Sequence, residues 1–152
     1  MSNDHSSQRI KDNIIIQEAI KLVEDGICVT FPVDGRSMLP FIIGGKESVI
    51  LEKPSKPGKG DIVLAWVDNC RYVVHRIIDI QGDDITLMGD GNISGTEKCL
   101  SSDIKAKITH IVDAKGNRHR VDSKNYKWGS LLWNYLRPVR KYLLFIYKHI
   151  WL

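Results

Sequence analysis

The chain opens with a helical hydrophobic pattern. Over residues 10–24 apolar side chains recur at roughly three- and four-residue spacing, with Asp12 or Asn13 as a candidate N-cap and Gly26 as a stop signal. The apolar positions are Ile10, Ile14, Ile16, Ile20 and Val23. One apolar face indicates a helix that packs on the rest of the protein, so we predict an N-terminal amphipathic helical segment within residues 1–26.

From residue 27 the pattern changes to short apolar runs bounded by Gly, Pro and Asp, which is typical of strands. The predicted strands are Ile27–Val33, Ser48–Glu52, Asp61–Val67, Arg71–Ile80, Asp84–Met88 and Ala106–Val112. Turn residues at 67–71 and 82–84 predict tight hairpins. Many short antiparallel strands within residues 27–122 predict a mainly β domain with a small, partly closed sheet.

The last segment, residues 127–152, returns to helical spacing. Apolar residues recur at three- and four-residue steps at Leu132, Leu136, Val139, Leu143, Ile146 and Ile150. Basic residues are interleaved at Arg137, Arg140, Lys141 and Lys148, among seven aromatic side chains. Pro138 is expected to start a second helix or to kink one long helix. The pattern predicts an amphipathic, basic and aromatic helical tail.

Charge separates this tail from the rest of the chain. The formal charge is +4, yet residues 115–152 hold nine basic residues and one acidic residue, so residues 1–114 are net negative. A basic tail rich in Trp and Tyr is typical of a helix lying in a lipid interface. The alternatives are a helical pair that covers the β domain or a partner protein, and nucleic acid, which is less favoured because no base-reading motif accompanies the charge.

Composition narrows the class of protein further. With 152 residues, 43% hydrophobic and 26% charged, the chain has the size and composition of one globular domain. The polar N-terminus has no apolar signal region, and no stretch reaches the length of a spanning helix. Cys28, Cys70 and Cys99 fit neither a zinc site nor a disulfide framework. We therefore expect no metal or cofactor and a cytoplasmic protein, with at most peripheral attachment to the inner face of the membrane.

One stretch carries candidate nucleophile chemistry, Asp34–Pro40. Gly35 permits close approach of a backbone, Met38 can bury itself and fix the direction of Ser37, and Pro40 fixes the exit of the chain. An attacking serine needs this kind of rigid presentation, with free backbone N–H groups beside it for the developing oxyanion. The same residues also suit an ordinary turn serine.

Two further stretches could supply the partners of a nucleophile. Alternation along the strand at 71–80 places His75 between Val73 and Ile77 on one face, where it is either a core histidine or a general base. Asp90 lies on a turn between two glycines, where it either orients an imidazole or bonds its own turn backbone.

Taken together, these stretches resemble the signal peptidase I and LexA-type superfamily of serine peptidases. Ser37–Pro40 matches the Ser-Met-x-Pro nucleophile box, and Gly60–Val63 matches the Gly-Asp-[Ile/Val]-Val strand opening. Val74–Arg76 is similar to the general-base box of archaeal and endoplasmic-reticulum signal peptidases, which have His in place of Lys. Met88–Asn92 is similar to the Gly-Asp-Asn box with one extra Gly. The four boxes occur in the family order.

The resemblance implies coiled antiparallel β-sheets with a shallow groove and a Ser37–His75 mechanism. It implies Asp90 as the acid that orients His75, with Asp103 as a second choice. The backbone at Gly35 and Ser37 is expected to form the oxyanion site, where some relatives add a serine hydroxyl that Gly35 cannot supply. A peptide or preprotein substrate is expected to bind as an added strand, with small side chains at alternate positions near the cut. Met38, Pro40 and Val73 are the residues expected to line its groove.

Three functions follow from these patterns. Typical signal peptidases carry a spanning helix before the nucleophile box, which the pattern lacks here, so a cytoplasmic leader or propeptide peptidase is favoured over general secretory processing. A LexA-like self-cleaving regulator is disfavoured, because few residues precede the first strand and no Ala-Gly or Cys-Gly bond is present. The third alternative is a non-catalytic β domain that binds peptides or membranes.

Overall fold

The chain folds around one curled antiparallel sheet that forms half of a barrel. The computed structural model describes residues 3–151, and it describes side chains over residues 11–150. The strands are β1 (Val29–Pro32), β2 (Ser48–Glu52), β3 (Ile62–Val67), β4 (Arg71–Gln81), β5 (Asp84–Met88), β6 (Glu97–Leu100), β7 (Ile104–Val112) and β8 (Arg118–Arg120). The helices are α1 (Asn3–Glu24), α2 (Lys124–Tyr135) and α3 (Arg140–Trp151).

The strand order is β1-β2-β7-β3-β4-β5-β6, and β8 pairs with β7 beside this path. The prediction of a mainly β domain is confirmed, and each of the six predicted strands is present with bounds that differ by three residues or fewer. At the predicted β3–β4 turn, Asp68 and Asn69 both adopt positive φ, of 54° and 52°. Asp and Asn tolerate this left-handed conformation better than most residues, which explains why this turn could be recognised in the sequence.

Two strands were not predicted from the sequence, β6 and β8. Their sequences, Glu-Lys-Cys-Leu and Arg-His-Arg, are short and mostly polar, so they carry no alternating apolar signal. They become strands by pairing with longer neighbours, β6 with β5 and β8 with β7. Tertiary pairing rather than local preference determines these two elements.

The two faces of the sheet bury separate apolar clusters. One cluster joins β2, β3 and β7 to Met38, Ile42 and the inner side of α1, where Ala19, Ile20 and Val23 are buried. The other lies between β3, β4, β5, β6 and β7. Ile14 was predicted on the packed face of α1 but is 54% exposed, because residues 14 and 16 are about 200° apart around a helix. The side chain of Ile10 lies outside the described residues.

The C-terminal segment forms two helices separated by a 3₁₀ turn, Arg137–Val139, which contains Pro138. Ser123 caps α2 by accepting a hydrogen bond from the Tyr126 amide. The inner faces of the helix pair pack on the β domain, with Ser130 and Leu144 buried. Of the helices in residues 3–151, none combines the length and the apolar character that a bilayer-crossing helix needs.

We expect burial in the cluster beneath α1 to contribute strongly to stability, and two matched leucine substitutions test this. Leu51 is 1% exposed and Leu100 is 49% exposed. Leu51→Ala removes buried apolar contacts and leaves a cavity, so it should lower the free energy of unfolding by about 2–5 kcal/mol. Leu100→Ala should change it by less than about 0.5 kcal/mol. Urea unfolding followed by circular dichroism measures both, and equal losses would contradict this placement of the core.

Candidate active site

Ser37 lies in a turn that follows β1, and the next residues anchor it. Met38 and Leu39 are buried at 2% and 1% exposure, while Ser37 is half-buried. The Met38 carbonyl oxygen accepts hydrogen bonds from the amides of Phe41 and Ile42, each at 3.0 Å. The apolar anchor and the turn together fix the backbone at Ser37, as the sequence pattern predicted for this segment.

The carbonyl oxygen of Ser37 is hydrogen-bonded, whereas its amide is not. Its carbonyl oxygen accepts a hydrogen bond from the Gly91 amide at 2.7 Å, which attaches the loop 89–92 to the serine. Within the described part of the chain, the Ser37 amide and hydroxyl form no hydrogen bond. A free amide beside a half-buried hydroxyl is the donor that an oxyanion requires.

His75 is oriented by a carboxylate from another strand. The imidazole lies on β4, is 3% exposed, and its Nδ1 lies 3.0 Å from Glu97 Oε2 at the start of β6. Because a carboxylate oxygen accepts, this contact places the proton of a neutral ring on Nδ1 and leaves the lone pair on Nε2. The Glu97 side chain is 13% exposed and also receives a hydrogen bond from Arg71 at 3.3 Å.

Gly89 separates the reactive edge of His75 from the backbone of Ser37. A Cβ added at Gly89 would lie 3.1 Å from His75 Nε2 and would overlap the Ser37 carbonyl oxygen. The Ser37 carbonyl oxygen and His75 Nε2 are therefore both close neighbours of Gly89. Glycine is required at this position because a Cβ would overlap the Ser37 carbonyl oxygen and crowd the imidazole.

Asp90 is not the partner of His75. Its carboxylate accepts two hydrogen bonds from Arg76, Nε to Oδ1 at 2.8 Å and Nη2 to Oδ2 at 2.6 Å, and both residues are 3% exposed. Alternation explains the difference from the sequence-based assignment, since adjacent residues 75 and 76 point to opposite faces of β4. Burial opposes the charge of Arg76, but the hydrogen bonds and charge of Asp90 outweigh it and raise the pKa of Arg76.

The Arg76–Asp90 pair is also enclosed by neighbouring groups. Arg76 Nη1 donates to the Gly60 carbonyl oxygen at 3.0 Å, and the guanidinium lies 5.4 Å from the centre of the Phe41 ring and 5.8 Å from that of Tyr126. Burial raises the pKa of Tyr126 to about 12, so its phenol stays neutral. From α2, the Trp133 indole N–H donates to the Asp90 carbonyl oxygen at 2.7 Å. These contacts hold loop 89–92 in place.

The remaining predicted site residues lie elsewhere. Asp103 accepts a hydrogen bond from the Leu100 amide at 2.9 Å and so caps a 3₁₀ turn instead of meeting His75. Met38 and Val73 were expected in the substrate groove, but they are core residues at 2% and 8% exposure. Their apolar side chains gain more from burial than from facing solvent. Pro40 is half-buried, and Gly35 is exposed with a positive φ of 88°.

Glu97 is the site residue that sequence reasoning missed. It lies in the unpredicted strand β6, where its register partner on β5 is Leu87. The available signal was an acidic residue a few positions beyond the Gly-Asp-Gly turn, on a segment long enough to return beside β5. Glu97 could have been predicted as a site residue only if β6 had first been predicted as a strand.

Comparison of the chain with known proteins finds no matching family model, no matching curated protein and no matching solved structure. We therefore infer the chemistry of the site from its geometry. The Ser37 carbonyl oxygen and His75 Nε2 both border Gly89, and the imidazole is oriented by the Glu97 carboxylate. Within the described residues, the amide and hydroxyl of the same serine form no hydrogen bond. This combination contains the parts of a nucleophile–base–orienter set.

The buried ion pair leads to a stability prediction. Asp90→Asn leaves the Arg76 charge buried without its counter-charge, so it should lower the free energy of unfolding by about 3–5 kcal/mol. Asp122→Asn removes the partner of Arg120 in an exposed pair and should cost less than about 1 kcal/mol. Chemical denaturation of both variants measures the difference. A loss for Asp90→Asn no larger than for Asp122→Asn would mean that the pair does not hold the loop.

Proposed function

We propose that the protein is a serine endopeptidase of the signal peptidase-like type, with Ser37 as nucleophile and His75 as general base. Glu97 takes the orienting role, in place of the Asp90 expected from the resemblance. The observation that carries the proposal is the buried His75, whose Nδ1 meets Glu97 while Nε2 lies next to Gly89, the residue that also borders the Ser37 carbonyl oxygen. The resemblance of four ordered sequence boxes supports the same chemistry independently of these contacts.

In the proposed acylation step, Ser37 Oγ attacks the carbonyl carbon of the scissile peptide bond, and His75 Nε2 takes the hydroxyl proton. The carbonyl oxygen becomes an oxyanion that accepts a hydrogen bond from the Ser37 amide. The carbon–nitrogen bond then breaks, and the leaving amine takes the proton from His75. The product is an ester between Ser37 and the new carboxyl end of the substrate.

Deacylation reverses the roles with water as nucleophile. His75 Nε2 takes a proton from water, whose oxygen attacks the ester carbon, and the proton passes to Ser37 Oγ as the ester bond breaks. The Glu97 carboxylate stabilises the imidazolium formed in both steps and keeps Nε2 directed at the reacting atoms. Both steps require the small space that Gly89 leaves open.

The proposed substrate is a leader or propeptide segment bound in extended form. β1 is an edge strand of the sheet and ends five residues before Ser37, so a peptide added to that edge would run towards the serine. The half-barrel sheet is compatible with the coiled sheets of signal peptidase-like enzymes, which we propose as the finer description of the fold. In that description α1 is the amphipathic N-terminal helix that packs on the sheet.

The proposal is tested with a fluorophosphonate probe, because this reagent reports an activated serine without a known substrate. Full-length protein should become covalently labelled, and Ser37→Ala and His75→Ala should each abolish labelling. The control is Ser55→Ala, which changes an exposed serine in the segment between β2 and β3 and should label normally. Labelling of Ser37→Ala equal to that of the unchanged protein would favour the non-catalytic alternative.

The roles of the acidic residues are separated by a second comparison. Glu97→Gln removes the charge that stabilises the imidazolium and should lower the turnover of a cleaved peptide by roughly 10²–10⁴-fold, with little change in KM. Asp103→Asn affects only a turn cap and should leave turnover within about twofold. Steady-state kinetics on the same peptide measures both. If Asp103→Asn shows the large loss and Glu97→Gln does not, the assignment of Glu97 is wrong.

A further inference from the structure

The two C-terminal helices present apolar side chains to solvent along one line of each helix. On α2 these side chains are 59–84% exposed, and on α3 they are 51–68% exposed. We call them the outer stripes, and they consist of Trp128, Leu131, Leu132 and Tyr135 on α2, and Tyr142, Phe145, Ile146 and Ile150 on α3. Three- and four-residue spacing places each set on one side of its helix. So many exposed large apolar side chains mark an interaction surface.

The inner faces of the same helices are already occupied. Trp133 donates to the Asp90 carbonyl oxygen, and Leu144 is 3% exposed. Arg140 is 1% exposed and donates to the Asn92 carbonyl oxygen at 3.1 Å. Because these contacts fix the helices on the loop 89–92, neither helix can turn its outer stripe into the β domain. The stripes therefore face outward while the domain is folded.

The charged residues around the outer stripes indicate which kind of partner would bind them. Residues 123–152 contain six Lys or Arg and no Asp or Glu. Lys141 and Lys148 are exposed and lie seven residues apart on α3, beside Tyr142 and Phe145. Cations next to Trp, Tyr and aliphatic side chains suit an anionic lipid surface, where headgroups meet the charges and acyl chains meet the apolar groups. A second copy would bring like charges together, and a nucleic acid offers little to the aliphatic side chains.

A shallow groove lies between α3 and the segment around Gly91, whose amide binds the Ser37 carbonyl oxygen. The groove has a volume of about 460 Å³. Gly91 of the loop and Ile93, just after the loop, form one side of it, and Tyr142 and Phe145 form the other. Lys141 and Lys148 also line it. Ile93 is itself 54% exposed, so the residue that follows the loop adds an apolar side chain to the same region. A surface that contacts α3 would therefore lie beside the loop that holds Ser37.

We infer that the outer stripes of α2 and α3 dock the protein peripherally on an anionic lipid bilayer, with the loop 89–92 at the contact. The inference concerns binding and stands independently of the proposed peptidase chemistry. Together the two would present membrane-attached peptides to Ser37.

The test is co-sedimentation of the full-length protein with vesicles of phosphatidylcholine alone or phosphatidylcholine mixed with phosphatidylglycerol. We expect binding to the mixed vesicles, weakened by added salt, and at least tenfold weaker binding to phosphatidylcholine alone. Lys141→Gln with Lys148→Gln should weaken binding to mixed vesicles roughly tenfold, and Trp128→Gln with Phe145→Gln should do the same. The control, Lys56→Gln with Lys115→Gln, changes two exposed lysines of the β domain and should bind as the unchanged protein does.

Four results would overturn the inference. The first is equal binding by the control and both helix variants, and the second is an absence of binding to either vesicle. The third is preferential binding to a duplex oligonucleotide. The fourth is self-association in sedimentation equilibrium that the helix variants abolish, without any vesicle binding. Circular dichroism confirms that the variants are folded, and each substituted side chain is exposed. Fluorophosphonate labelling of the same variants in the absence of vesicles reports the proposed peptidase separately.

Discussion

A buried ion pair between Arg76 and Asp90 connects the parts of this protein on which the site depends. Arg76 belongs to β4, and its guanidinium also binds the carbonyl oxygen of Gly60 just before β3. Asp90 belongs to the loop that follows β5, and its carbonyl oxygen receives the indole of Trp133 on α2. Because two buried charges tolerate little separation, strand, loop and helix are held in one arrangement. That loop then binds the Ser37 carbonyl through the Gly91 amide.

The carboxylates of Asp90, in the loop 89–92, and Glu97, at the start of β6, have different environments. Asp90 is neutralised by a bidentate arginine and is enclosed, so it serves as a structural anchor. Glu97 is partly exposed and meets the imidazole of His75, so it can respond to a charge that forms there. β4 provides the partner of each carboxylate, because the side chains of the neighbouring residues His75 and Arg76 point to opposite faces of the strand. The candidate site and the ion pair that supports it therefore lie on opposite faces of β4.

The sequence predicted those parts of the fold whose local pattern agrees with their final environment. Six strands and the Asp68–Asn69 turn were recognisable because alternation and turn chemistry act locally. β6 and β8 were not, since their polar residues become strands only by pairing with β5 and β7. The dependence on tertiary pairing also limited the prediction of the site residues. Asp90 and Glu97 are both acidic residues in polar segments, and only the three-dimensional pairing with Arg76 or His75 distinguishes them. Met38 and Val73 were expected to face a substrate, whereas their apolar side chains lie in the core.

We propose that Ser37 and His75 act together beside Gly89, with Glu97 hydrogen-bonded to Nδ1 of the imidazole. The most direct measurement is a crystal structure of the full-length protein after reaction with a fluorophosphonate. We predict phosphorus bonded to Ser37 Oγ and a phosphonyl oxygen within hydrogen-bonding distance of the Ser37 amide. His75 Nε2 should face the adduct, while Nδ1 keeps its contact with Glu97. An unmodified Ser37, or an adduct on another residue with His75 turned away from Ser37, would contradict it.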